Sequence, residues 1–119
     1  MKGKINSQFG DINISNDVIA TIAGSAAVES FGIVGMASVS LKDGFVRLLK
    51  RDSLHKGIQV TVTDDNTVSL KLHIIVAYGV SIYAVSENLI EAVRYQIQEQ
   101  TGLKVDSVNV FVEGVRPID

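Results

Sequence analysis

Two histidines, His55 and His73, are the side chains of this 119-residue chain best suited to move a proton or bind a metal. A catalytic metal usually takes three ligands of imidazole, carboxylate or thiolate type. His73 stands among Lys71 and Ile75, His55 stands in a basic stretch, and neither has a carboxylate at ligand-like spacing. The chain has no cysteine, which excludes disulfide frameworks, thiol nucleophiles and cysteine-held clusters. A serine nucleophile needs a neighbouring base and an oxyanion donor, and no Gly-x-Ser-x-Gly elbow occurs. Ser25 reads as a small packing residue of an apolar helix, and Ser15 as a helix cap. Asp64 and Asp65 precede Asn66, which is turn chemistry rather than an acid–base pair. No phosphate loop or dinucleotide fingerprint is present. The expectation is a non-enzyme with no catalytic residue, no cofactor and no bound metal.

Charge is structured in one place. Residues 42–56 hold Lys42, Arg47, Lys50, Arg51 and Lys56 against Asp43 and Asp52, a local net of +3 in a chain whose net charge is −2. Phe45, Leu48 and Leu49 fall at helical spacing opposite Arg47, Lys50 and Arg51. The spacing predicts a short basic amphipathic helix outside the sheet, of the kind that lies on an anionic membrane or in a partner's groove. Phe45, Arg47, Leu48, Lys50 and Arg51 are therefore candidate membrane or partner contacts. The overall charge lacks the strongly basic footprint of a nucleic-acid binder. Gly32-Ile33-Val34-Gly35 matches the spacing of the RNA-clamping loop of KH domains, but its middle positions are apolar. A KH-like RNA-binding module remains an alternative reading on that ground.

The elements that must position these residues follow from periodicity. With 46% hydrophobic and 20% charged residues, the chain is rich enough in apolar surface to fold as one domain. Residues 11–15 alternate as a short strand. Ser15 caps a helix whose stripe is Val18, Ile19, Ile22, Ala23, Ala26 and Ala27, thin enough for close packing. Residues 33–41 read as a weak strand. Ile58, Val60 and Val62, then Val68, Leu70, Leu72, Ile74 and Val76, alternate on either side of the Asp64–Asn66 turn and predict an antiparallel hairpin. Ile82, Val85, Leu89, Ala92, Val93, Gln96 and Ile97 predict a second helix ended by Gly102. Val108, Val110 and Val112 make a last strand, joined to 67–77 by a right-handed parallel crossover.

The predicted fold is α+β, a single-layer mixed β-sheet with two main helices on one face, in the order β-α-β-β-β-α-β. Val68, Leu70, Leu72, Ile74 and Val76 are expected to face Ile22, Leu89 and Val93. The outer face then carries Gln59, Thr61, Thr63, Ser69, Lys71, His73 and Asn109. Ile75 and Phe111 also point there, so His73, Ile75 and Phe111 are a candidate sheet-face partner contact. No apolar run reaches the eighteen or so residues of a membrane span. Met1 to Gln8 has two lysines without an apolar core, unlike a secretory signal. The cytoplasm is the expected compartment.

Six segments together carry a resemblance. They are Gly10-Asp11-Ile12-Asn13-Ile14-Ser15-x-x-Val18, Ile22-Ala23-Gly24-x-Ala26-Ala27 and Gly32-Ile33-Val34-Gly35-Met36, followed by Lys56-Gly57-Ile58-x-Val60, Val76-Ala77-Tyr78-Gly79 and Thr101-Gly102-Leu103-x-Val105-x-x-Val108-Asn109-Val110. In this order they resemble the alkaline-shock, or general-stress, family of Gram-positive envelope stress response proteins, over residues 10–116. Without long charged tails the chain is similar to the short housekeeping type. The resemblance implies residues 1–9 as an extension and 10–116 as one domain with a variable basic segment, 42–56. It also implies a non-enzymatic protein of cell-envelope homeostasis that self-associates as a scaffold near the inner face of the membrane. The partners it implies are further copies of the chain and a membrane-anchored protein, with peripheral membrane contact. Short members are often encoded beside a fatty-acid kinase subunit, so an accessory role to a lipid or fatty-acid metabolic enzyme is a further alternative.

Overall fold

The computed structural model describes residues 3–39 and 46–117. The elements run β1 (Gly3–Ser7), β2 (Gly10–Ile14), α1 (Asn16–Glu29), β3 (Ile33–Val39), β4 (Val46–Leu48), a 3₁₀ segment (Arg51–Gly57), β5 (Ile58–Val62), β6 (Thr67–Ala77), α2 (Ile82–Thr101) and β7 (Lys104–Arg116). The fold is α+β with a mixed sheet.

The sheet is organised around β6. β5 pairs with it antiparallel from Ile58↔Leu72 to Val62↔Val68. β3 pairs antiparallel with its far end, Ile33↔Val76 to Met36↔Ile74. β7 runs parallel along its whole length, Thr67↔Lys104 to Ala77↔Arg116. Because β7 occupies one edge of β6 throughout, β3 and β5 share the other edge end to end. β4 lies outside β3, with Ala37 opposite Leu48. The β6-α2-β7 connection is the expected parallel crossover. Two register shifts leave Asp106 and Glu113 as extra residues of β7, with Ser107–Val112 in unbroken register between them.

Local chemistry sets the helix ends. The Ser15 hydroxyl accepts from the Val18 N–H at 3.3 Å, and the Ser81 hydroxyl from the Ala84 N–H at 3.2 Å. α2 stops at Gly102, whose φ of 76° is left-handed and whose N–H donates to Gln98 O. The Thr101 hydroxyl donates to the Ile97 carbonyl and accepts from the Leu103 N–H.

Both helices lie on one face of the sheet. Val68, Leu70, Leu72, Ile74 and Val76 are buried there with Ile19, Ala23 and Ala27 of α1 and Leu89, Val93 and Ile97 of α2. Ile22 is only partly buried at the margin of this core. Val18 and Ile82, expected on the apolar stripes, are exposed, since both sit in the first turns of their helices. The small residues of α1 allow the expected close approach: a Cβ at Gly24 would lie 3.1 Å from Leu54 Cβ in the 3₁₀ segment.

The order differs from β-α-β-β-β-α-β by two strands, β1 and β4. β2, expected as the first strand of the sheet, instead pairs with β1 in a separate hairpin, Ile5↔Ile12 at its middle. Only Ile5 carries an apolar signal in β1, and the strand is held by contacts remote in sequence. Lys4 N–H donates to Asn66 Oδ1 at 3.1 Å, and Ile5 packs on Gly102.

Candidate functional site

The open face of the sheet is assembled rung by rung from side chains pointing away from the helices. Gln59 faces Lys71 and Thr61 faces Ser69 across β5 and β6. Ser69 faces Ser107, Lys71 faces Asn109 and His73 faces Phe111 across β6 and β7. The His73 and Phe111 rings stack at 5.0 Å with an interplanar angle of 18°. His73 Nδ1 lies 2.7 Å from Glu113 Oε2, both side chains being half-buried. An ionised carboxylate only accepts, so Nδ1 carries the hydrogen in that contact. The pair fixes the ring against Phe111, which remains 41% exposed.

Ile75 is a correction. It lies beyond His73 on β6, but it is 1% exposed and unavailable as a surface contact. It is flanked by Gly35 on β3 and Gly114 on β7, each beside a register shift. Its side chain lies beside Gly114, where a Cβ would come 3.9 Å from Ile75 Cγ1. Of the candidate sheet-face contact, His73 and Phe111 remain at the surface, with Glu113 joined to His73. Sequence reading missed Glu113, because it reaches His73 only through the bulge that precedes Gly114. That glycine inside a strand pattern is the one local signal of a bulge.

The basic segment is also corrected. The amphipathic helix expected across Leu48, Leu49 and Lys50 does not form; the only helical turn of the segment among the described residues is the 3₁₀ stretch from Arg51. Val46–Leu48 is a strand paired to β3, and the Leu49 N–H donates to Met36 O at 2.8 Å. A helix of two turns is unstable alone in water, whereas β3 offers a free row of backbone partners. Leu48 lies over Gly35, where a Cβ would come 2.8 Å from its Cδ1. Leu49 packs towards the core beside Gly57. Arg47 and Lys50 are exposed. Phe45 and the side chain of Arg51 lie outside the described residues. Between this edge and α1 is an open cleft of about 290 Å³ lined by Val28, Glu29, Leu48, Leu49 and Leu54, among others.

The glycine pair of the KH-like reading does not form a loop between helices. Gly32 is the left-handed residue before β3, with φ of 83°, and Gly35 is inside β3 opposite Ile75. His55 is half-buried in the 3₁₀ segment. Among the described residues no three histidines or carboxylates come together as a metal site, and no helix is long and apolar enough to cross a membrane.

The sequence profile of the alkaline shock protein 23 family, described as having a cell envelope-related function, matches residues 4–117. The chain is 42% identical over 117 residues to the uncharacterized protein YloU of Bacillus subtilis, covering 98% of this chain and 97% of that one. It is 43% identical over 119 residues to the uncharacterized protein Spy1614 of Streptococcus pyogenes, covering 99% and 98%. A more distant relative, the uncharacterized protein YqhY of Bacillus subtilis, is 28% identical over 111 residues, 93% of this chain and 81% of that one. No solved structure gives a significant match. A profile match along almost the whole chain, with relatives of the same length, means that the chain belongs to the alkaline shock protein 23 family and shares its cell envelope-related function.

Proposed function

We propose that this chain is a non-enzymatic scaffold of the cell envelope that self-associates and works at the cytoplasmic face of the membrane. The observation that carries this reading is the open face of the sheet. Both helices cover the other face, and this one presents the exposed Phe111, braced by His73 and Glu113, among polar side chains and Lys71. Such a surface suits docking by another protein. Exposed Arg47 and Lys50 add positive charge at the β4 edge. Each basic residue near an anionic leaflet contributes about 1 kcal/mol, too little for one copy to stay bound. Self-association multiplies such contacts, and a membrane-anchored partner protein would do the same.

Sedimentation velocity over a range of concentrations, with flotation on vesicles with and without anionic lipid, tests the proposal. The expected outcome is concentration-dependent assembly and weak flotation that needs anionic lipid and falls in Arg47→Gln/Lys50→Gln. A chain that stays monomeric at every concentration and ignores anionic vesicles would overturn it.

A further inference from the structure

We infer that two copies of this chain pair through β7, antiparallel about a twofold axis at Asn109, so that their sheets become one. This rests on the self-association proposed above and names the surface that performs it. β7 bonds to β6 along one edge, and no strand among the described residues pairs with its other edge. Sheet edges are usually kept short, bulged or charged, because an open row of backbone groups recruits other strands. β4 has 3 residues and β5 has 5, but β7 has 13. The protective features of β7 sit at its ends. Its bulges are at Asp106 and Glu113, and its charges are Lys104, Asp106, Glu113 and Arg116. Between the bulges, Ser107-Val108-Asn109-Val110-Phe111-Val112 is uncharged, regular in register and rich in β-branched and aromatic residues.

This middle stretch is complementary to itself. A closed pair of identical strands is antiparallel, and each contact occurs twice. With the axis at Asn109, Ser107 faces Phe111 of the second copy, Val108 faces Val110, and Asn109 faces its own equivalent. Val108 and Val110 both belong to the core side of the sheet; Ser107, Asn109 and Phe111 belong to the open side. The two copies therefore keep their helices on the same face of the joined sheet. Two rungs further out, Lys104 comes level with Glu113 and Gly114 of the second copy, so opposite charges meet. Moving the axis to Val110 would instead bring Lys104 level with Arg116 of the second copy, which like-charge repulsion disfavours. Five rungs bury less than the roughly 1,600 Å² of a standard interface, so the dimer belongs to micromolar rather than nanomolar concentrations.

Because Asn109 is exposed and meets itself, it provides a test that no other register passes. Asn109→Lys and Asn109→Asp are each compared with the unmodified chain by sedimentation velocity, alone and mixed in equal amounts, with melting temperatures as the folding control. Each variant alone should associate roughly tenfold more weakly, and the mixture should recover. As a second reading, Asn109→Cys introduces the only thiol of the chain. Directly opposed residues of an antiparallel pair lie within disulfide reach, so mild oxidation should give a covalent dimer, while Ser107→Cys should not. If the unmodified chain never associates, the scaffold reading and this one fall together. If it associates but the variants behave like it, or the mixture fails to recover and Asn109→Cys does not cross-link, pairing through β7 is overturned and the scaffold reading stands.

Discussion

The turn between β5 and β6 shows what single side chains contribute. The Thr63 hydroxyl bonds to Asp65 and to the backbone of Thr67, and Asn66 takes a left-handed φ of 62°. Hydrogen bonds from Thr63 and then Thr67 hold the Asp65 carboxyl below its ordinary value of 3.8. A carboxyl depressed in the folded state favours folding fully above that ordinary value, and the benefit is lost as pH falls through the folded one. Thr63→Val should therefore move the Asp65 titration up towards the ordinary range. Carboxyl NMR would show it, and an unmoved titration would remove Thr63 as the cause. Asp64, Asp65 and Asn66 were legible as a turn because their effect is local. The His73–Glu113 contact was not, because it needs a parallel register and a bulge 40 residues away.

Among the elements, β4 and the 3₁₀ segment were the hardest to read. Phe45, Leu48 and Leu49 satisfy a helical spacing, yet Leu48 ends in a strand over Gly35 and Leu49 just beyond it beside Gly57, because the β3 edge outcompetes an isolated helix. Glycines now decide how tightly this corner closes. At Gly57 a Cβ would lie 2.7 Å from the Ala37 carbonyl oxygen, 3.1 Å from Leu49 and 3.2 Å from Met36 Cβ. The backbone oxygen cannot step aside alone, so Gly57→Ala should cost about 1–3 kcal/mol by overpacking. At Gly35 the close neighbour is the tip of Leu48, at 2.8 Å, and a methyl group can rotate away. Gly35→Ala should cost clearly less in the same denaturant titration. Equal losses would mean that Leu48 is as fixed as the backbone. α2 and β6 were legible throughout because their periodicity runs unbroken for many residues, whereas only the middle of β7, Val108 to Val112, was, because the bulges at Asp106 and Glu113 break its alternation. β1 was not, since its one isoleucine acquires meaning only beside Gly102 and Ile12.

At the scale of the whole molecule, both helices and every strand of the main sheet except β4 converge on β6. Leu72 stands at its centre, fully buried between the helices and opposite Ile58 and Val110. Leu72→Ala should cost about 2–5 kcal/mol, and an unchanged melting temperature would mean that the helices do not pack on this face. The sharing of β6 by β3, β5 and β7 also sets a hierarchy of amide lifetimes in heavy water. Along most of β6 both edges are occupied, so its amides should escape exchange until the entire domain opens. The amides on the outer edge of β7 have no strand partner among the described residues of a single copy and should label early. The slowest and the fastest backbone positions of the sheet would then lie on adjacent strands, and any binder that adds a strand at β7 would announce itself by erasing that contrast.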